Sequence, residues 1–286
     1  MDLKNNLVRD LYWLIAQPSP LKENSISNLP LFPELWKKKL LLQHQKWFYN
    51  LDVNPKPLIE FISKTKTSRL GIYAERLMHF LFEHSPFIEL KLCNYQVIEN
   101  KVTIGEIDFV IEWEERLIHI ELSVKYYLDS KNDDVFENWI GPSGNDNLSK
   151  KIEKVITHQL PLCQSIQFRN ETKLWAESFF WLGGIFFSNS QSPPNWISQD
   201  TNLGSFSNLI DWWKVNQNMT KDFHIILRPS WMMDTLKPAS NFIIQLPNDI
   251  IEIQGLLTNH GALFLRNKIS ERLHFLVSNN WPSPCY

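Results

Sequence analysis

The stretch G-E-I-D-F-V-I-E-W-E-E-R-L-I-H-I-E-L-S-V-K, residues 105–125, carries apolar and polar residues in alternation on either side of Glu114 and Glu115. Successive side chains of a strand point to opposite faces, so this alternation predicts a β-hairpin with one apolar and one polar face. The apolar face holds Ile107, Phe109, Ile111, Ile118, Ile120, Leu122 and Val124. The polar face holds Glu106, Asp108, Glu112, His119, Glu121, Ser123 and Lys125.

The expected register of this hairpin brings two carboxylates together. If Glu114 and Glu115 form a two-residue turn, Asp108 lies opposite Glu121, with Cβ atoms roughly 5 Å apart. Two such carboxylates repel each other unless a proton or a cation lies between them, and a hard divalent ion suits their oxygen atoms best. Charged residues also alternate along any half-solvated hairpin, and Glu-Glu is unusual in a tight turn. The pattern therefore predicts a metal site, with a solvated surface as the alternative.

The segments around the hairpin predict the element order α-β-β-β-α-β. Apolar residues at helical spacing predict a helix over residues 68–84, and a strand is expected over 87–98. A second helix begins after residue 146 or 147, either of which can cap it. The continuous apolar run at 179–187 has the length of a strand that is buried on both faces. The second helix lies between the hairpin and this buried strand, which implies a right-handed crossover and a parallel strand pair.

These elements and their acidic residues resemble the core of the PD-(D/E)XK, or restriction-endonuclease-like, nuclease superfamily, over residues 68–188. The resemblance implies an α/β fold with a mixed central sheet flanked by helices. It also implies that Asp108 and Glu121 bind Mg²⁺ or Mn²⁺, with Glu75 of the first helix as an additional acid. Such an ion would serve the hydrolysis of phosphodiester bonds.

The lysine departs from the pattern of that superfamily. Ser123 holds the position where the lysine usually stands, and Lys125 follows two residues later. The resemblance assigns Lys125 the catalytic role of orienting or deprotonating a water, or of stabilising the phosphate. A shift of two strand residues moves the attachment point by about 6.6 Å. Weak or absent catalysis is therefore an open alternative.

The chain also resembles, nearly from end to end, an uncharacterised bacterial family that is placed in this superfamily. Its hallmark segments correspond here to residues 8–14 (V-R-D-L-Y-W-L), 119–128, 139–142, 146–148 with Lys151, and 158–160. That resemblance supports the fold and implies no particular substrate.

A basic row on the second predicted helix is the candidate nucleic-acid contact. Lys150, Lys154 and His158 follow one helical side, and Lys151 and Gln159 are adjacent. Such a row can bind phosphates, although a solvated helix face gives the same pattern. The expected partner is nucleic acid, either DNA or RNA.

Composition limits the alternatives. With 286 residues, of which 43% are hydrophobic, the chain can bury a large core, and its net charge of -2 argues against a strongly basic nucleic-acid binder. Cys93, Cys163 and Cys285 have no paired spacing, so neither a disulfide framework nor a zinc site is indicated. The sequence lacks a long apolar run and a signal-peptide pattern, so we expect a cytoplasmic protein without a membrane partner.

Three segments are expected: a helical N-terminal extension (1–67), the nuclease-like core (68–188) and a C-terminal α+β extension (189–286). A loop rich in Ser, Pro, Asn and Gln follows Ser188 and marks the second boundary. In the C-terminal segment, the predicted elements are strands at 223–227, 242–246 and 273–277 and a helix at 208–215.

Three functions are compatible with these residues. A metal-dependent nuclease is favoured. A catalytically weak or inactive nuclease fold that acts as a binding or assembly module is the second, and the displaced Lys125 supports it. A retaining glycoside hydrolase is the third, because opposed carboxylates and tryptophans fit that chemistry. The lysine on the acidic face and the element order argue against it. Cutting both strands of a duplex would require two sites, so a homodimer is one arrangement for the nuclease.

Overall fold

A computed structural model describes residues 1–65, 67, 69–201, 203–228, 230–232 and 243–282. The fold is mixed α/β, with helices and two sheets. The chain forms two compact units: Met1–Val124 with Ile152–Gly183, and Lys125–Lys151 with Gly184–Tyr286. This division differs from the three consecutive segments expected from the sequence, because the boundary falls inside two strands and one helix. The start of the first predicted core helix, Ser68, lies outside the described residues.

The helices are α1 (Asn6–Ala16), α2 (Glu34–Gln43), α3 (Gln45–Val53), α4 (Lys56–Ser63), α5 (Leu70–His84), α6 (Leu148–Lys154), α7 (Leu160–Leu162), α8 (Ile166–Thr172), α9 (Leu209–Asn216) and α10 (Ile250–His260). The strands are β1 (Ile88–Glu99), β2 (Val102–Trp113), β3 (Arg116–Asp129), β4 (Trp139–Ile140), β5 (Glu177–Phe187), β6 (Ser205–Asn208), β7 (Phe223–Ile226), β8 (Ile243–Gln245), β9 (Ala262–Asn267) and β10 (Leu273–Val277). A π-helical turn, Val155–Gln159, joins α6 to α7. The predicted order α-β-β-β-α-β is present as α5, β1, β2, β3, the α6–α7 segment and β5.

The predicted hairpin register is confirmed next to the turn, whereas the expected direct pairing of Asp108 with Glu121 is not among the paired residues. Strands β2 and β3 are antiparallel, and their pairs run from Phe109 with Ile120 to Trp113 with Arg116. The turn residue Glu114 has a φ of 51°. Glu115, the other turn residue, has a φ of 61°, so both adopt the left-handed conformation of a type I′ hairpin turn. Glu-Glu is unusual there because side chains with a Cβ disfavour positive φ.

Contacts with α2 hold this turn in place. The Glu114 carboxylate accepts hydrogen bonds from the Lys39 ammonium and, at 2.7 Å, from the Gln43 amide. The Lys39 contact also lowers the pKa of Glu114. A partner outside the hairpin therefore helps to keep a local conformation that the turn sequence alone does not favour.

Strand β5 runs parallel to β3, as the helical crossover predicted. The Nδ1 atom of His119 lies 3.0 Å from Ser178 Oγ, and a Cβ atom on Gly183 would lie 3.6 Å from Val124. The contacts thus advance in the same direction along both strands. Strand β5 is buried from Phe180 to Phe187, in agreement with the prediction of a strand covered on both faces.

The N-terminal helices belong to the first unit. The backbone oxygen of Leu14 in α1 accepts a hydrogen bond from the Trp181 indole of β5. Asp10 of α1 is 7% exposed, and its carboxylate accepts a 2.6 Å hydrogen bond from the Tyr73 hydroxyl of α5. Burial raises the pKa of Asp10 to about 7, against the opposing effects of the Tyr73 hydrogen bond and the Arg9 charge. Asp10 is therefore a buried, proton-sensitive group in the helical layer.

The second unit contains a sheet with the strand order β6-β10-β9-β7-β8. Its β6–β10 pair is parallel and its other pairs are antiparallel. Helices α9 and α10 contribute Trp212, Ile253 and Leu257 to the core on this sheet. Strands β7, β8 and β10 and helix α9 were predicted, although Phe242 at the start of the predicted 242–246 strand lies outside the described residues. Strands β6 and β9 and helix α10 were not predicted.

Candidate functional site

Asp108 lies where the β2–β3 ladder ends. Regular pairing stops at Phe109 and Ile120 although both strands continue. One step beyond, the Asp108 carboxylate accepts a hydrogen bond from the backbone N–H of Leu122, with an Oδ2–N distance of 2.9 Å. The side chain of Asp108 thus takes the place of a ladder acceptor, and this contact fixes the carboxylate beside the backbone of β3.

Glu121, the second predicted carboxylate, is buried. Its side chain is 2% exposed, and its Oε1 atom accepts a hydrogen bond from the Gln159 amide. A buried carboxylate requires hydrogen-bond donors, since water no longer solvates its charge. The contact with Gln159 therefore supplies a donor to Oε1 and orients Glu121.

The π turn determines where Gln159 points. A π turn contains one more residue than an α-helical turn, so it rotates the side chains that follow relative to those before it. The segment packs closely on β2: a Cβ atom on Gly105 would lie 2.4 Å from Leu162 and 3.2 Å from Nε2 of His158. Glycine at position 105 therefore permits the approach that brings Gln159 to Glu121. Periodicity reasoning missed this contact because it assumed uninterrupted α-helical spacing.

His119, on the polar face beside Glu121, is a buried residue that hydrogen-bonds to Ser178. Its side chain is fully buried, and Ser178 Oγ bridges the ring to the Leu160 carbonyl, which lies 3.3 Å away. Burial lowers the pKa of His119 to about 4, so the ring is neutral at pH 7. Glu106 and Glu112 are exposed, and Glu112 pairs with Lys91 at 2.9 Å.

Glu75 lies on α5 and is half-buried. Its Oε1 atom is 4.0 Å from the place where a Cβ on Gly71 would be, one helical turn earlier. Burial raises the pKa of the Cys93 thiol to about 11, and the Asp108 and Glu75 carboxylates add to the rise while Arg76 opposes it. Glu75 and Asp108 thus act electrostatically on the same thiol.

Lys125, the predicted catalytic lysine, belongs to the second unit. Its ammonium forms an ion pair with Asp146, and the lysine is 32% exposed. Asp146 also contributes, after burial, to a raised pKa of Tyr127. Ser123, which occupies the usual lysine position, is buried in the first unit at 9% exposure.

The five residues of the predicted basic row are divided between the units. Lys150 and Lys151 belong to the second unit, and Lys154, His158 and Gln159 to the first. Asn147 caps α6, because its side chain accepts a 3.1 Å hydrogen bond from the backbone N–H of Lys150. Lys150, Lys154 and His158 are exposed, whereas Gln159 is half-buried against Glu121.

Asp108 and Glu121 are oxygen donors of the type that a hard divalent cation prefers. In the part of the chain that the structure describes, no group of three or more His, Cys, Asp and Glu side chains is placed to hold a metal ion. Mg²⁺ does not require such a group, because it is often bound through one or two carboxylates, with waters and substrate phosphates completing its coordination. Asp108 and Glu121 supply two oxygen donors of this kind. The participation of Glu75 in this set of donors stays a prediction.

The chain is a mixed α/β protein whose candidate acidic site consists of Asp108 and Glu121, just beyond the last paired residues of β2 and β3. The chain belongs to the DUF1853 family, described as a domain of unknown function, which it matches over residues 9–251. No curated protein and no solved structure matches the chain. Among the described residues, no helix is both long and apolar enough to cross a membrane.

Proposed function

We propose that this protein is a metal-dependent nuclease that hydrolyses phosphodiester bonds of nucleic acid. The observation that carries the proposal is that Asp108 and Glu121, next to the last paired residues of β2 and β3, are each held by a hydrogen bond. Asp108 is fixed by the backbone of Leu122, and Glu121 is buried and oriented by Gln159. Two acidic groups held in this way by independent contacts are prepared to bind a cation. The resemblance to PD-(D/E)XK nucleases implies that this cation would serve phosphodiester hydrolysis.

Each residue has a defined part in this proposal. Asp108 and Glu121 would hold Mg²⁺ or Mn²⁺, which when bound neutralises charge on the attacked phosphate and lowers the pKa of a water. The contact with Gln159 keeps Glu121 in one orientation, so less reorganisation is needed when substrate binds. Lys154 at the end of α6 and His158 in the π turn are both exposed and would contact phosphates. Glu75 would contribute to the metal site directly or through a water.

The test is cleavage of labelled single-stranded DNA, duplex DNA and RNA in Mg²⁺, Mn²⁺ or EDTA. Asp108→Asn and Glu121→Gln remove charge with little change in shape, and each should abolish metal-dependent cleavage. Glu112→Gln is the matched control, because Glu112 is an exposed carboxylate of the same hairpin that pairs with Lys91. It should cleave like the wild type. Cleavage that survives in both site variants, or none of any substrate by the wild type, would refute the nuclease.

The second candidate is a nuclease fold that binds nucleic acid, or assembles with it, with weak or absent catalysis. The ion pair of Lys125 with Asp146 favours it, because an ammonium engaged by a carboxylate is less available to a phosphate. Lys125→Met separates the candidates: a catalytic lysine predicts lost turnover with binding retained. Asp146→Asn, which frees the ammonium, should then raise turnover. Metal binding without cleavage, seen by calorimetry, would favour the second candidate.

Cleavage of both strands of a duplex would need two copies of this site. A homodimer is therefore part of the proposal for a duplex substrate only. Light scattering during size-exclusion chromatography, with and without duplex DNA, tests it. A monomer that still makes double-strand breaks in a single binding event would contradict this arrangement.

A further inference from the structure

The outer face of α8 combines cations with an exposed aromatic ring. Ile166, Arg169, Asn170 and Lys173 follow the spacing of one helical face. The Trp175 side chain is 70% exposed, and the Arg169 guanidinium lies over its ring at 3.8 Å from the centroid. We call the surface formed by Arg169, Lys173 and Trp175 the α8 platform.

The local fold explains why Trp175 points outward. Leu174 and Ala176 pack against the buried cluster that contains Phe168. Side chains of an extended segment alternate between two sides, so the residue between two inward-facing neighbours faces solvent. Lys173 has a φ of 61°, and its backbone N–H donates to the Arg169 carbonyl at the end of the helix. This reversal returns the chain so that the indole stacks on Arg169.

The charge of the platform is positive. Glu171 is the single carboxylate between residues 166 and 175, and it accepts hydrogen bonds from the Tyr95 hydroxyl, at 2.6 Å, and from the Gln167 amide. These contacts, with Tyr95 as the larger cause, lower the pKa of Glu171. Because Glu171 is engaged by these two residues, Arg169 and Lys173 can contact an anionic ligand beside the exposed indole of Trp175.

We propose that the α8 platform binds unpaired bases of single-stranded nucleic acid, with Trp175 stacking on a base and Arg169 and Lys173 contacting the adjacent phosphates. A single nucleotide can make both contacts, because its base can stack on the indole ring while its phosphate pairs with a cation. A sugar ligand would leave the two cations without anions. A base within a duplex cannot offer its face to the indole, so the platform selects unpaired strands.

This inference rests on the proposed nuclease function, and it names single-stranded nucleic acid as the substrate class. Ser178 faces His119 across the parallel strands. Trp175 comes three positions before Ser178, and Glu121 comes two positions after His119. Because the strands are parallel, Trp175 and Glu121 are about five residues, or roughly 16 Å, apart along the strand direction. A single strand held at the platform would thus extend over a few nucleotides to the carboxylates.

The experiment measures binding of fluorescein-labelled oligo(dT), oligo(U) and a duplex by anisotropy in EDTA, so that neither metal nor cleavage is required. Trp175→Leu should weaken binding of the single strands by at least about fivefold and leave duplex binding unchanged. Trp175→Phe keeps a ring and should restore most of the affinity. Tyr49→Ala removes another exposed aromatic side chain of the same unit and is the control. The DNA and RNA arms show which backbone is preferred.

Salt dependence tests the cations separately. Arg169→Gln should reduce the slope of log K against log salt concentration by about 0.7 for single strands, the effect of one lost phosphate contact. Lys46→Gln, an exposed change on α3, should leave the slope as it is. Unchanged affinity in Trp175→Leu, or equal losses for single strands and duplex, would overturn the platform. If binding depends on Trp175 but cleavage never occurs, the platform stands and the nuclease fails.

Discussion

The contact between Gln159 and Glu121 should be measurable as a coupling free energy. Replacing Gln159 with leucine removes the amide donor from a carboxylate that is 2% exposed. Hydrogen bonds to charged groups contribute about 1.5–3 kcal/mol, and the buried acceptor cannot turn to water instead. We expect Gln159→Leu to lower the free energy of unfolding by about 2 kcal/mol. At about 2–4 °C per kcal/mol, this corresponds to a fall in Tm of about 4–8 °C.

A double-mutant cycle isolates the contact from other effects of the leucine. In the Glu121→Gln background the acceptor is neutral, and a neutral hydrogen bond contributes only about 1 kcal/mol. Gln159→Leu should therefore cost about 1 kcal/mol less there than in the wild type. Urea denaturation followed by circular dichroism, with all four proteins in EDTA, gives the required values.

Gln167→Leu is the matched control for this cycle. Gln167 also donates its amide to a glutamate, Glu171, but both side chains of that pair are at the surface. A surface change of this kind alters stability by no more than about 0.5 kcal/mol. If the Gln159 and Glu121 changes are additive within about 0.5 kcal/mol, the buried contact does not orient the carboxylate and our reasoning about the site is wrong.

Four further changes test the fold. Because the folded-state pKa of Asp10, about 7, exceeds its ordinary value of 3.8, the folded protein holds an extra proton between those pH values. Stability conferred by Asp10 should fall by up to about 1.4 kcal/mol per pH unit as pH rises from about 4 to 7, and urea titrations of Asp10→Asn should lack this component. Glu115→Gly should stabilise the type I′ turn by about 0.5–1 kcal/mol, and a lower urea midpoint would contradict the left-handed turn. Gly184→Ala should destabilise by more than about 3 kcal/mol or prevent folding, since its Cβ would lie 1.8 Å from the Lys125 carbonyl, at a φ of 120°. Gly255→Ala, with open space around its Cβ inside α10, should instead stabilise by about 1 kcal/mol in the same assay.

The hairpin and its register could be predicted because both depend on local sequence. Alternation assigns each residue of 105–125 to a face, and a two-residue turn fixes which residues oppose each other. The prediction held even though Glu114 and Glu115 are poor turn residues, because contacts from α2 hold Glu114. The parallel pairing of β5 with β3 followed from the helix between them, again from the order of neighbouring elements.

The parts that escaped prediction depend on contacts between distant residues. Nothing in the residues 155–159 marks a π turn, so the contact of Gln159 with Glu121 required the structure. The ion pair of Lys125 with Asp146 joins residues from a strand and a loop, and sequence spacing does not report it. Composition marked the loop after Ser188 as a boundary, whereas the compact units divide inside continuous strands, where sequence composition does not change.

The interleaved chain course has a consequence for synthesis on the ribosome. When residue 183 has been added, every part of the first unit exists, but the second unit has only Lys125–Lys151. That segment contains Tyr126, which in the finished protein lies among aromatic rings that include Phe264 and Phe275 of β9 and β10. A nascent chain must therefore carry this 27-residue segment, with its apolar side chains uncovered, until the C-terminal strands emerge. A premature stop codon before β9 would leave this segment of the second unit without its aromatic partners, and exposed apolar surface of that kind promotes aggregation.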